Sequence, residues 1–146
     1  MPNTLAHRVC AVLFLLAFLH LQHALNPFNA IAAIAIAILF GGGTLNASWK
    51  KFGISPDIDL LFWHRNPLFH SILLPRIVFL SFPNLVTELI LLAWGLHVLL
   101  DLFTVRGRLQ LHLSPKNWQM GIIGFGVAGA SAIVTLLLFA GWIRFS

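Results

Sequence analysis

The sequence predicts an all-α integral membrane protein, a bundle of four to five transmembrane or partly spanning helices. Two observations predict it. Of 146 residues, 59% are hydrophobic and only 9% charged, and the mean hydropathy is +0.91; soluble domains carry about 25% charged residues. The apolar residues also fall into long runs rather than alternating with polar ones. In lipid, backbone groups must be satisfied within the segment, and that makes each such run a helix. The length allows one domain, residues 1–146.

The first segment, about Leu5 to Leu25, carries Arg8 and then an apolar run. It passes straight into a second run and has a minimal basic start, so it reads as a retained helix rather than a cleaved leader. The second segment, Pro27 to Phe40, is rich in Ala and Ile and ends at three glycines. The third, roughly His70 to Phe82, is short for the ~20 residues of a full span and is interrupted by Pro75 and Arg76. The fourth runs from Leu85 to Val105. The fifth, about Trp118 to Ile143, opens with Gly121, Gly124, Gly126 and Gly129, a small-residue surface suited to close helix contact.

Basic residues set the expected orientation. If the N-terminus, the 41–69 connection and the 106–117 connection share a side, that side holds Arg8, Lys50, Lys51, Arg65, Arg106, Arg108 and Lys116. The opposite side keeps Arg144. The positive-inside rule then makes the crowded side cytoplasmic, with an inner-membrane location. Trp49, Trp63 and Trp118 fall near that interface and Trp142 near the other. The net charge of +5 therefore reports topology, and no basic patch with interleaved aromatics predicts nucleic-acid binding. The single cysteine, Cys10, cannot form an internal disulfide and reads as lipid-facing or packing surface.

Against this background the stretch PDIDLLFWHRNPLFHS, residues 56–71, concentrates ionisable groups. Four acids exist in the chain: Asp57, Asp59, Glu88 and Asp101. Three fall at one expected membrane face, where His7, His64, His70 and His97 also fall. His97 and Asp101 are an i,i+4 pair on one helix face, able to share a cation or to act as ligand and supporting carboxylate. Asp57 and Asp59 repel one another unless a cation or proton intervenes. Each element has a plain structural reading as well. The His97–Asp101 pair suits a structural hydrogen bond. Asp57 or Asp59 suits a helix cap, His64 and Arg65 suit an anionic lipid surface, and His7 suits an ordinary helix start. Convergence from separate segments favours divalent metal, the partner that imidazole and carboxylate suit. His20 and His23 lie at the other end of the first helix, His112 stands in the basic connection, Glu88 reads as a helix-end charge, and Ser71 as a cap for the third helix.

At these residues the sequence resembles a family of bacterial and archaeal inner-membrane proteins described as membrane-bound metal-dependent hydrolases. The shared pattern is an early His (His7), the motif Pro56, Asp57, Ile58, Asp59, then His64 with Arg65, His70 with Ser71, and His97-x-x-x-Asp101. It covers roughly residues 5 to 115. The chain departs from the pattern at Leu60, where many relatives carry His, in the stretch NPLF between the histidines, and in the insert GGGTLNASWKK. A more distant similarity links the pattern to zinc-dependent phospholipase C and single-strand nucleases, all-helical enzymes, and implies phosphoester hydrolysis by fold-level analogy.

The resulting expectation is a site of two or more divalent ions, zinc before manganese or iron. His7, Asp57, Asp59, His70, His97 and Asp101 are the expected ligands. His64 is the expected acid–base or a further ligand. Arg65 is the expected clamp for an anionic group, because guanidinium forks onto phosphate oxygens. The expected partners are membrane lipid and a lipid-like or phosphorylated substrate. Two alternatives remain: a cation transporter or channel, and a non-catalytic membrane protein with a structural metal site.

Overall fold

The computed structural model describes residues 4–41, 67–68, 70–105, 108–109 and 121–142. Five helices account for most of these: α1 (Thr4–Leu21), α2 (Pro27–Phe40), α3 (Leu73–Ser81), α4 (Leu85–Leu102) and α5 (Ile122–Phe139). A two-residue antiparallel pairing, β1 (Thr104–Val105) with β2 (Arg108–Leu109), follows α4. The all-α expectation holds. By length and composition, α4 and α5 are each able to cross a membrane, while α2 is shorter and apolar.

Local chemistry sets the helix ends. α1 stops at Leu21, short of the expected Leu25, because His23 adopts a left-handed conformation with φ 53°. Its N–H bonds the His20 carbonyl and that of Ala24 bonds the Leu19 carbonyl, a Schellman closure. α2 begins and ends as the sequence predicts. The Asn26 side chain accepts from the Asn29 N–H at 2.9 Å, and Pro27 takes the first helical position, where no N–H is needed. α3 corrects an expectation: Pro75 does not interrupt it but lies in its first turn, where a missing donor costs no hydrogen bond. At nine residues, α3 is only about 14 Å long and cannot cross a ~30 Å hydrocarbon layer. α4 starts with a reciprocal cap, Thr87 N–H to Asn84 Oδ1 at 3.0 Å and Asn84 N–H to Thr87 Oγ1 at 3.2 Å. It ends at Leu102 rather than Val105, where the chain turns into the β pairing.

α4 is the central helix and packs on each of the other four. Leu89, Leu92 and Ala93 join Leu15, Phe18, Leu19, Ala33 and Ile36 in one apolar core. Trp94, Val98 and Leu102 meet Ala128 and Ala132 of α5 in a second. Small residues let the backbones approach. A methyl at Gly41 would lie 2.3 Å from the Ala11 Cβ, and one at Gly95 would lie 1.9 Å from Thr135 Oγ1. The small-residue seam of α5 is therefore Gly124, Ala128, Ser131, Ala132 and Thr135. Of the glycines expected there, Gly126 and Gly129 face open space, one helical phase away.

Outward surfaces are alkyl and aromatic. Leu13, Phe28, Ile31, Ile122, Ile123 and Ile133 are each at least 60% exposed. The start of α1, the end of α2, the entry to α3 and the end of α4 lie together at one end of the bundle. His7 meets His97 there, His70 meets Asp101, and Phe40 packs against the cluster containing Leu102.

Candidate metal centre

Two helices and one turn bring the polar groups to that end. His7 is in the first turn of α1, and His97 and Asp101 are one turn apart near the end of α4. His70 sits in the turn before α3. All four are buried, with relative exposures of 6% for His7, 0% for His70, 0% for His97 and 4% for Asp101. In an apolar interior, burying four such groups is costly unless they serve one another or a cation.

One ligand atom each from His7, His97 and Asp101 lies within 4.8 Å of the others, so this group can hold a metal ion. The spacing has chemical content. Two ligands of one tetrahedral ion with bonds of ~2.0–2.1 Å stand about 3.3–3.4 Å apart. His97 Nε2 lies 3.4 Å from Asp101 Oδ2. Two imidazoles on such an ion place their ring centres about 5 Å apart. The His7 and His97 centroids are 5.1 Å apart, with planes at 88°.

His70 is held differently. Its Nε2 is 3.1 Å from the same Asp101 Oδ2, a hydrogen-bond distance, and its ring centre is 6.2 Å from that of His97. The turn that carries it is fastened by three bonds. Ser71 Oγ donates to the Leu68 carbonyl at 2.9 Å and accepts from the Leu73 N–H at 3.3 Å. The Ile72 N–H donates to Ser131 Oγ of α5, also at 3.3 Å. Ser71 is thus not the cap the sequence suggests: Ile72 holds the N-cap position without a side-chain cap bond, and Ser71 closes the turn ahead of it.

The structure therefore brings together four of the expected site residues: His7, His70, His97 and Asp101. Asp57, Asp59, His64 and Arg65 lie outside the described residues, as does His112. His20 and His23 are exposed at the far end of α1, and Glu88 stands in the first turn of α4, as a helix-end charge. Ser131 was not expected to matter. Its signal is the spacing of small residues 124, 128, 131, 132 and 135, which marks the face of α5 turned to α4.

Comparison with known protein families, characterised proteins and solved structures finds no match to this chain.

Proposed function

We propose that this chain is a membrane-embedded, metal-dependent hydrolase that cleaves a phosphoester of a lipid or another amphipathic molecule. The observation that carries the reading is the burial of His7, His97 and Asp101 at ligand spacing in an otherwise apolar interior. The sequence resemblance to membrane-bound metal-dependent hydrolases supports the reaction class. The outward alkyl surface of α1, α2 and α5 supports the membrane setting, since contiguous apolar surface on this scale marks a lipid or partner contact.

Within the proposal the residues divide the work. His7 and His97 offer neutral imidazole nitrogens and Asp101 a carboxylate oxygen, a mixed set that suits zinc, with manganese or iron behind it. A divalent ion there supplies Lewis-acid polarisation of a phosphoryl oxygen and a water activated near neutral pH. With one carboxylate among these three donors, the site keeps net positive charge toward an anionic substrate. Asp57 and Asp59 complete or extend the ligand set, Arg65 clamps the phosphate and His64 carries a proton. The distribution of basic residues along the sequence supports a cytoplasmic, inner-membrane position for this end of the bundle. The half of the core away from the site is lined by Leu15, Leu19, Leu89 and Leu92, which disfavours a polar path for cation transport.

The test is to purify the full chain in detergent, quantify bound metals, and assay a panel of lipid phosphoesters with and without chelator. Stoichiometric metal with chelator-sensitive hydrolysis that Asp101→Asn abolishes supports the proposal. Metal without hydrolysis makes the site structural, and cation flux in vesicles makes it a transport site. Absence of metal in the purified and metal-supplemented protein overturns it.

A further inference from the structure

We infer that His70 is a positioning residue: it holds the Asp101 carboxylate from outside a three-ligand centre made by His7, His97 and Asp101. The inference rests on the proposed metal reading and specifies which of the four buried groups touch the ion.

Three observations separate His70 from the ligand triad. The group at mutual ligand spacing contains His7, His97 and Asp101, and His70 stands outside it although it is fully buried beside Asp101. Its ring centre is 6.2 Å from that of His97, beyond the roughly 5 Å of two imidazoles on one tetrahedral ion. The third observation is the contact itself. An ionised carboxylate only accepts hydrogen bonds, so the 3.1 Å contact with Oδ2, shorter than the 3.4 Å of His97, assigns His70 the tautomer with its hydrogen on Nε2. A nitrogen that bears a hydrogen has no lone pair left for a metal. His70 therefore fixes the carboxylate's orientation, as outer partners of metal ligands do.

The chain builds this partner with care. His70 precedes α3, and the turn holding it is tied to α5 through the Ile72 N–H and Ser131 Oγ. Ser71 closes the same turn on itself through Leu68 and Leu73. A side chain held in this way keeps Asp101 in one rotamer. With His70 outside, the described part of the centre has three protein ligands, and three-ligand centres are the kind that keep a position for water or substrate.

The experiment uses the full chain in detergent, loaded with Co2+, whose visible absorption reports ligand number and type. Wild type, His70→Ala, His70→Gln and His97→Ala are compared for equivalents bound, affinity and spectrum. His70→Ala is expected to bind as many equivalents as wild type with the wild-type band shape, at 10- to 100-fold weaker affinity. His70→Gln is expected to recover most of that loss, because its amide still donates to Oδ2. His97→Ala is expected to change the band shape or lose the ion. Loss of an equivalent in His70→Ala, or a spectrum altered as in His97→Ala, makes His70 a ligand and overturns the inference. If His70→Ala fails to fold, His70→Gln decides by the same criteria. A wild-type protein that takes up no cobalt or zinc refutes the metal reading itself, and this inference with it.

Discussion

Replacing Gly95 by alanine sets two effects of opposite sign against each other. Gly→Ala within a helix is worth about 1 kcal/mol of stability through backbone entropy. At Gly95, however, the new methyl would lie 1.9 Å from Thr135 Oγ1, 2.7 Å from its Cγ2 and 2.8 Å from its Cβ. Turning the threonine about χ1 cannot relieve the contact with Cβ, and it would also break the Oγ1 bond to the Ser131 carbonyl at 2.8 Å. α4 and α5 must part instead, and overpacking of this kind costs about 1–3 kcal/mol. The clash is at the severe end because backbone-near atoms are involved, so a net loss of about 1–2 kcal/mol is expected. Thermal unfolding of the detergent-solubilised chain, followed by circular dichroism, should show a melting temperature lower by several degrees. Gly95→Ala with Thr135→Gly should be more stable than the two single effects summed, since neighbours in contact couple by about 0.5–3 kcal/mol. An alanine variant as stable as wild type, or more so, refutes the close α4–α5 crossing.

Other expectations follow from the same geometry. Ser131→Ala removes the acceptor for the Ile72 N–H and should cost about 1–3 kcal/mol, measurable by thermal unfolding. The same variant should weaken metal binding without changing the number of ions bound. His23→Gly should stabilise the end of α1 slightly and His23→Val should destabilise it, because φ 53° suits glycine and strains a β-branched residue. Metal uptake, measured by equilibrium dialysis, should fall below about pH 6, because protonated imidazole cannot bind an ion.

Much of the helix plan was legible because its punctuation is chemical. Asn26 with Pro27 marks the start of α2 and Gly41 its end, and both bounds are met. Hydropathy alone overran the other ends. It continues through Leu25 and Val105, but His23 closes α1 by a backbone conformation, and the chain after Leu102 turns into a strand pairing. Pro75 was misjudged because a proline is a breaker or a starter according to its turn, and the sequence does not show where the turn begins. The α5 seam was misread for a similar reason. Glycine content suggested Gly126 and Gly129, whereas the helical phase belongs to Ala128, Ser131 and Thr135, and is fixed only by where α4 lies. At the site, the rarity of charge in this chain pointed to His7, His70, His97 and Asp101, and they do meet. The i,i+4 spacing placed His97 beside Asp101. No spacing rule distinguishes a ligand histidine from one that holds the ligand's carboxylate, because that depends on which ring nitrogen faces which oxygen.

The arrangement of helix ends bears on which guests that end of the bundle accepts. α2 and α4 both finish there and direct the carbonyl ends of their last turns toward it, each equivalent to about half a negative charge. α1, α3 and α5 start there, since Phe125 and Ala128 pack beside Leu102 and Thr135 lies against Gly95, and they point their amide ends the same way. Backbone dipoles of opposite sign thus largely offset one another at this end and leave the local field to the side chains. Which guest is accepted there is therefore decided by three imidazoles and one carboxylate rather than by the direction of the helices.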